Sequence, residues 1–134
     1  MSAQLYEYVV IIPDKDDAEC VRCLLSQSRP ALRSIPTNLC LQVNRRVAVR
    51  QEHLVGVKKL FADGVMTSGG AYLDGPITTE STPSFKGSVV TMLAESKEQV
   101  KEIMMKDVYS SNDVWDWEKA QIFNFACAVR KAKE

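Results

Sequence analysis

The run Leu5-Tyr6-Glu7-Tyr8-Val9-Val10-Ile11-Ile12, closed by Pro13, constrains the fold more than any other stretch of the chain. Its β-branched and aromatic residues read as a strand, and proline ends it. The unbroken apolar end reads as a central strand covered on both faces, which requires other elements to pack around it. A chain of 134 residues, 46% hydrophobic and 25% charged, can bury one such core as a single domain.

The remaining elements follow from periodicity. Arg50 to Asp63 is expected to be a helix, with Leu54, Val57, Leu60 and Phe61 on one stripe and Gly64 as its left-handed stop. Val65 to Leu73 is expected as a strand containing Gly69-Gly70, followed by Gly75-Pro76 and a polar loop over 77–86. Gly87 to Glu95 is expected as a strand with Val89, Thr91 and Leu93 on one face and Val90, Met92 and Ala94 on the other. Ser96 and Gln99 form a capping box, opening a helix to about Lys106 that packs Val100, Ile103 and Met104. A loop from Asp107 to Lys119 carries Trp115 and Trp117. A last strand, Ala120 to Val129, has Phe123, Phe125, Cys127 and Val129 on one face.

Residues 14–44 stand outside this pattern. Ala18, Val21, Leu24 and Leu25 fit a short amphipathic helix, broken at Arg29-Pro30 and Ile35-Pro36. The segment is expected to be a peripheral insertion. The order β, insertion, α, β, β, α, β is a ferredoxin-like α+β plan, with two helices on one face of a four-stranded antiparallel sheet. The second face keeps apolar side chains, so a homodimer is expected, with two sheets packed face to face around a cavity.

Composition excludes several functions. Lysine plus arginine and aspartate plus glutamate number 17 each, which leaves no charge footprint for nucleic acid or an anionic membrane. No apolar run approaches the ~20 residues that cross a bilayer. Met1-Ser2-Ala3-Gln4 lacks a basic region followed by an apolar stretch, so no signal peptide and a cytoplasmic location are expected. Cys20, Cys23, Cys40 and Cys127 then read as reduced thiols. Cys20 and Cys23 have the spacing of a zinc half-site or redox pair, but Cys40, Cys127 and His53 are scattered singly, so neither metal nor cofactor is expected.

Several motifs in order carry a family resemblance. Arg50, His53-Leu54, Leu60, Gly64 and Ser68-Gly69-Gly70-Ala71 are followed by Gly87-Ser88-Val89, Ala94-Glu95-Ser96-Lys97-Glu98, Lys106-Asp107-Val108-Tyr109, Val114-Trp115-Asp116 and Ala120-Gln121-Ile122. Over roughly Leu5–Ile12 and Val47–Arg130 this resembles the YCII-related proteins, most of all the fungal members. Residues 14–44 do not match, since the family has a shorter connection there. The resemblance implies a dimeric α/β barrel of ferredoxin-like domains, with His53 and Asp107 as an acid/base pair. In the family a proline follows that aspartate; here Val108 does.

The residues themselves point to the same pair. His53, the sole histidine, lies one turn before Val57 and two before Leu60, at the edge of the buried stripe. An imidazole gives and takes protons near neutral pH, and a carboxylate fixes its tautomer. The competing reading is a structural histidine on an amphipathic helix. Arg50 can orient an anionic substrate or simply sit at the surface. Ser68, Gly69 and Gly70 can admit a ligand close to backbone, although a strand glycine also marks a bulge. Trp115 can line a pocket mouth or pack. Two functions remain open: a cofactor-independent lyase or isomerase acting on a small apolar, aromatic or polyketide-like substrate, and a non-catalytic dimeric module that binds a small molecule or a protein. Catalysis by a titrating histidine would follow a pH–rate curve, and binding alone need not.

Overall fold

A computed structural model describes residues 2–15, 41–80 and 85–131. Four strands form one antiparallel sheet: β1 (Tyr6–Pro13), β2 (Met66–Leu73), β3 (Phe85–Ala94) and β4 (Gln121–Asn124), in the order β2-β3-β1-β4. The helices are α1 (Leu41–Ala62), α2 (Lys97–Met105) and the short α3 (Val108–Ser111), with a 3₁₀ turn at Trp117–Lys119. This is the ferredoxin-like α+β plan.

Alternation along the strands sorts the two faces. Tyr8, Val10 and Ile12 of β1 are buried, and their register partners Met92, Val90 and Ser88 of β3 are buried with them. Val100 and Met104 of α2, Tyr109 of α3 and Trp115 complete the core beneath the helices. The opposite face carries Val9, Ile11, Val89 and Leu93 in a half-buried state, and Phe123 beside them is exposed.

Local signals in the sequence set the element ends. Gly64 has φ +74°, Val65 N–H reaches Leu60 O at 3.0 Å, and Gly64 N–H reaches Phe61 O at 3.1 Å. That pair of bonds is the Schellman stop. Ser96 Oγ accepts from Gln99 N–H at 3.2 Å, while the Gln99 side chain reaches back one residue beyond the cap, to Glu95 N–H at 2.7 Å.

Four expectations are corrected. Helix α1 starts at Leu41 rather than Arg50, and Arg46 in its second turn is buried. Phe61 is 63% exposed and does not belong to that stripe. The stretch Asp107–Lys119 is not a plain loop: it holds α3 and the 3₁₀ turn, and buries Tyr109 and Trp115. Strand β4 ends at Asn124, and Val129 is 90% exposed. Asp14 bridges to Trp115 and residues 41–44 are helical; the expected helix around Ala18–Leu25, with Cys20, Cys23 and Cys40, lies outside the described residues.

Candidate active site

Helix α1 lays Arg46, Arg50, His53, Leu54, Val57 and Leu60 along one side at helical spacing. Opposite them, β2 supplies Gly69, Gly70 and Ala71. These small residues leave room beneath the helix, and a cavity of about 170 Å³ opens there. The cavity lies within one chain, between helix and sheet.

His53 and Asp107 meet at the cavity wall. The imidazole Nδ1 is 2.8 Å from Asp107 Oδ1 and 2.9 Å from Oδ2. An ionised carboxylate only accepts, so Nδ1 is the donor in this contact, and a neutral imidazole so held has its lone pair on Nε2. Asp107 is held independently of His53. It is the N-cap of α3, and its Oδ1 accepts from Tyr109 N–H at 2.8 Å. Val108 therefore occupies the first helical position, where a proline would be tolerated, and the aspartate is fixed without one. One face of the imidazole stacks on Tyr109, and Trp115 approaches it edge-on at 5.9 Å between centroids.

A second set of residues forms the floor. Arg46, 6% exposed, donates through Nη1 to both Asp14 oxygens at 2.7 and 2.8 Å, and through Nη2 to Ser88 Oγ at 3.1 Å. Trp115 Nε1 donates to the same Ser88 oxygen at 3.1 Å. The Arg46 guanidinium lies over both Tyr109 and Phe85. Burial pushes the Tyr109 phenol above its ordinary pKa, and Arg46 and Arg50 act in the opposite direction.

Of the candidates named from sequence, His53, Asp107, Arg50, Gly69, Gly70 and Trp115 all line this cavity. Arg50 is exposed at its mouth, 5.7 Å from the Phe85 ring. Ser68 does not line it. A bulge between Met66 and Ser68 turns Ser68 toward the uncovered face, where its hydroxyl meets Thr91 Oγ1 at 2.5 Å. Arg46, Ser88 and Tyr109 were missed as site residues. Only the spacing of Arg46 ahead of Arg50 and His53 on one helix side could have flagged the first.

No known family profile matches the chain. It is similar to fusaric acid biosynthesis protein 2 of Gibberella fujikuroi, 26% identical over 125 residues, which cover 93% of this chain and 97% of that one. It is also similar to aspercryptin biosynthesis cluster protein B of Emericella nidulans, 29% identical over 91 residues, 66% of this chain and 58% of that protein. Among solved structures, 5-chloro-2-hydroxyhydroquinone dehydrochlorinase of Burkholderia phenoliruptrix, in complex with 2,5-dihydroxybenzoquinone, matches with a TM-score of 0.58. Its identity is 17%, over 90% of this chain and 93% of that chain. At that identity the likeness establishes a common fold. Among the described residues no helix is long and apolar enough to cross a membrane.

Proposed function

We propose that this chain is a cofactor-independent enzyme of lyase or isomerase type, which moves a proton on a small, largely apolar ring in fungal specialised metabolism. The observation that carries this is His53 Nδ1 seated on both oxygens of Asp107 at the wall of an apolar cavity. His53 takes the proton at Nε2, and Asp107 stabilises the imidazolium that forms. A cavity of about 170 Å³ suits a single ring, since one of ~150 Å³ accepts benzene. The relatives named for biosynthesis, and a dehydrochlorinase with the same fold, support small-molecule chemistry. The YCII-related reading of the motifs agrees with this assignment.

We further infer a homodimer, formed through the sheet face of Val9, Ile11, Val89, Leu93 and Phe123. Native mass spectrometry should give twice the 15.0 kDa chain mass, and Leu93→Lys should give the single chain. A wild-type monomer at micromolar concentration would overturn it. Turnover on a panel of hydroxylated and ketonic rings, followed against pH, tests the enzyme itself. The rival reading is a binding module. It is favoured by the second role of Asp107 as helix cap, and it is the one to keep if bound rings leave the protein unchanged at every pH.

A further inference from the structure

The helix wall and the sheet wall of the cavity change character in the same direction. On α1 the lining runs Arg46, Arg50, His53, then Leu54, Val57, Leu60. Arg46 and Leu60 stand about 21 Å apart along the helix axis, and Leu60 lies about 10 Å beyond His53. The chain turns back at Gly64, with Val65 N–H on Leu60 O, so β2 begins at the Leu60 end. Ala71 pairs with Ser88, which Arg46 reaches, whereas Gly69 pairs with Val90, nearer Met66. Past His53 the lining is therefore apolar: Val57, Leu60, Met66 and Val90, with Ile103 and Met104 of α2. Met66, Val90 and Met104 are buried. Within this half Gly69 has no side chain. A Cβ there would lie 3.2 Å from Met66 Sδ and 3.8 Å from Val90 Cγ2, so the space it would take belongs to the cavity. Glycine weakens a strand interior, and one position where it is found is beside a closely approaching ligand.

We propose that the Leu60 end of the cavity is a subsite for a short, unbranched alkyl substituent on the ligand ring, and that Gly69 sets the length it admits. The inference deepens the function proposed above, on which it rests for the seat of the ring at His53. The ligand is then amphiphilic. Its ring lies against His53, its polar groups face the mouth where Arg50 is exposed, and its chain points inward. A volume of about 170 Å³ drawn out along the helix is narrow, which suits a chain better than a second ring. Met66 and Met104 fit this use, since an unbranched thioether side chain adapts to irregular apolar shapes. The chain carries no reacting atom. It contributes by leaving water and by fixing which ring atom lies under His53.

The test is binding, which needs no substrate. Phenol, 4-methylphenol, 4-ethylphenol and 4-propylphenol present one ring with a growing chain, and calorimetric titration gives their affinities. Wild-type protein should gain roughly fourfold per added carbon. Gly69→Val should flatten the series while leaving phenol nearly unchanged. Gly69→Ala places one carbon against the flexible end of Met66, and serves if Gly69→Val fails to fold. It should weaken 4-propylphenol roughly fourfold and phenol hardly at all. Equal affinity of the wild type for phenol and 4-propylphenol would overturn the proposal. So would a gain that survives in the Gly69 variants, which would place the chain elsewhere on the surface, and so would no binding of any member. Failure of the proton-transfer reading is separate: it would appear as full turnover in His53→Asn, whatever the alkylphenols do.

Discussion

The imidazole of His53 lies flat on the phenol ring of Tyr109, 3.7 Å between centroids and 12° between planes. With Asp107 on its Nδ1 edge and Trp115 against it at a right angle, the ring is held in one orientation before any ligand arrives. His53→Asn keeps comparable size. It is expected to lower turnover by ~10²–10⁴ with little change in melting temperature. A lowered melting temperature with retained turnover would mean the histidine is structural.

Asp107 combines two roles that substitution can separate. Asparagine is as good an N-cap as aspartate but cannot stabilise an imidazolium. Asp107→Asn should therefore melt like the parent and lose activity, by less than His53→Asn does. Asp107→Ala should lose both, with ~0.5–2 kcal/mol of stability gone with the cap. Calorimetry and turnover on the two variants check this.

The buried pair of Arg46 and Asp14 is expected to dominate stability near the site. Both side chains are under a tenth exposed, so Arg46→Met strips the paired cation from a buried carboxylate. That costs ~3–5 kcal/mol. Chemical denaturation should show the midpoint falling steeply, far more than for Arg50→Met, which removes an exposed guanidinium from the mouth.

Glycines of the sheet should respond unequally. A Cβ at Gly87 would lie 2.4 Å from the Ile12 carbonyl and 2.5 Å from the Tyr72 ring, and the backbone of a central strand has no room to yield. Gly87→Ala is expected to cost ~1–3 kcal/mol. At Gly70 nothing lies within 4 Å of the added atom, so Gly70→Ala should fold normally although it lines the cavity. Thermal melts of the two compare them directly.

On the far face, Thr67 Oγ1 donates to Glu7 at 2.6 Å and Arg130 pairs with it, which together hold its carboxyl below the usual value near 4.5. A pKa lower in the folded than the unfolded chain gives stabilisation that is complete above the unfolded value. It is lost as pH falls through the folded one. Stability of the parent should therefore drop below about pH 4.5 more steeply than that of Glu7→Gln, and parallel acid limbs would refute it.

What the sequence determined by itself was whatever depends on near neighbours. The face alternation of β3, the Gly64 stop, the Ser96 cap and the element order follow from periods of two and 3.6 and from backbone preference, which a few adjacent residues express. His53 could be found because it borders such a stripe. The floor of the cavity could not. Arg46 meets Asp14 across 32 positions and Ser88 across 42, and Trp115 reaches Ser88 across 27. The turn of α1 that carries Arg46 was missed for the same reason, since the partners of Arg46 lie that far away in sequence. Strand β4 ends at Asn124, opposite Tyr8, although the alternation continues to Val129; beyond it, Phe125 N–H still donates to Glu7 O at 2.9 Å. Polar groups and edge strands are positioned by whatever the fold brings beside them, and only the assembled sheet and helices decide that.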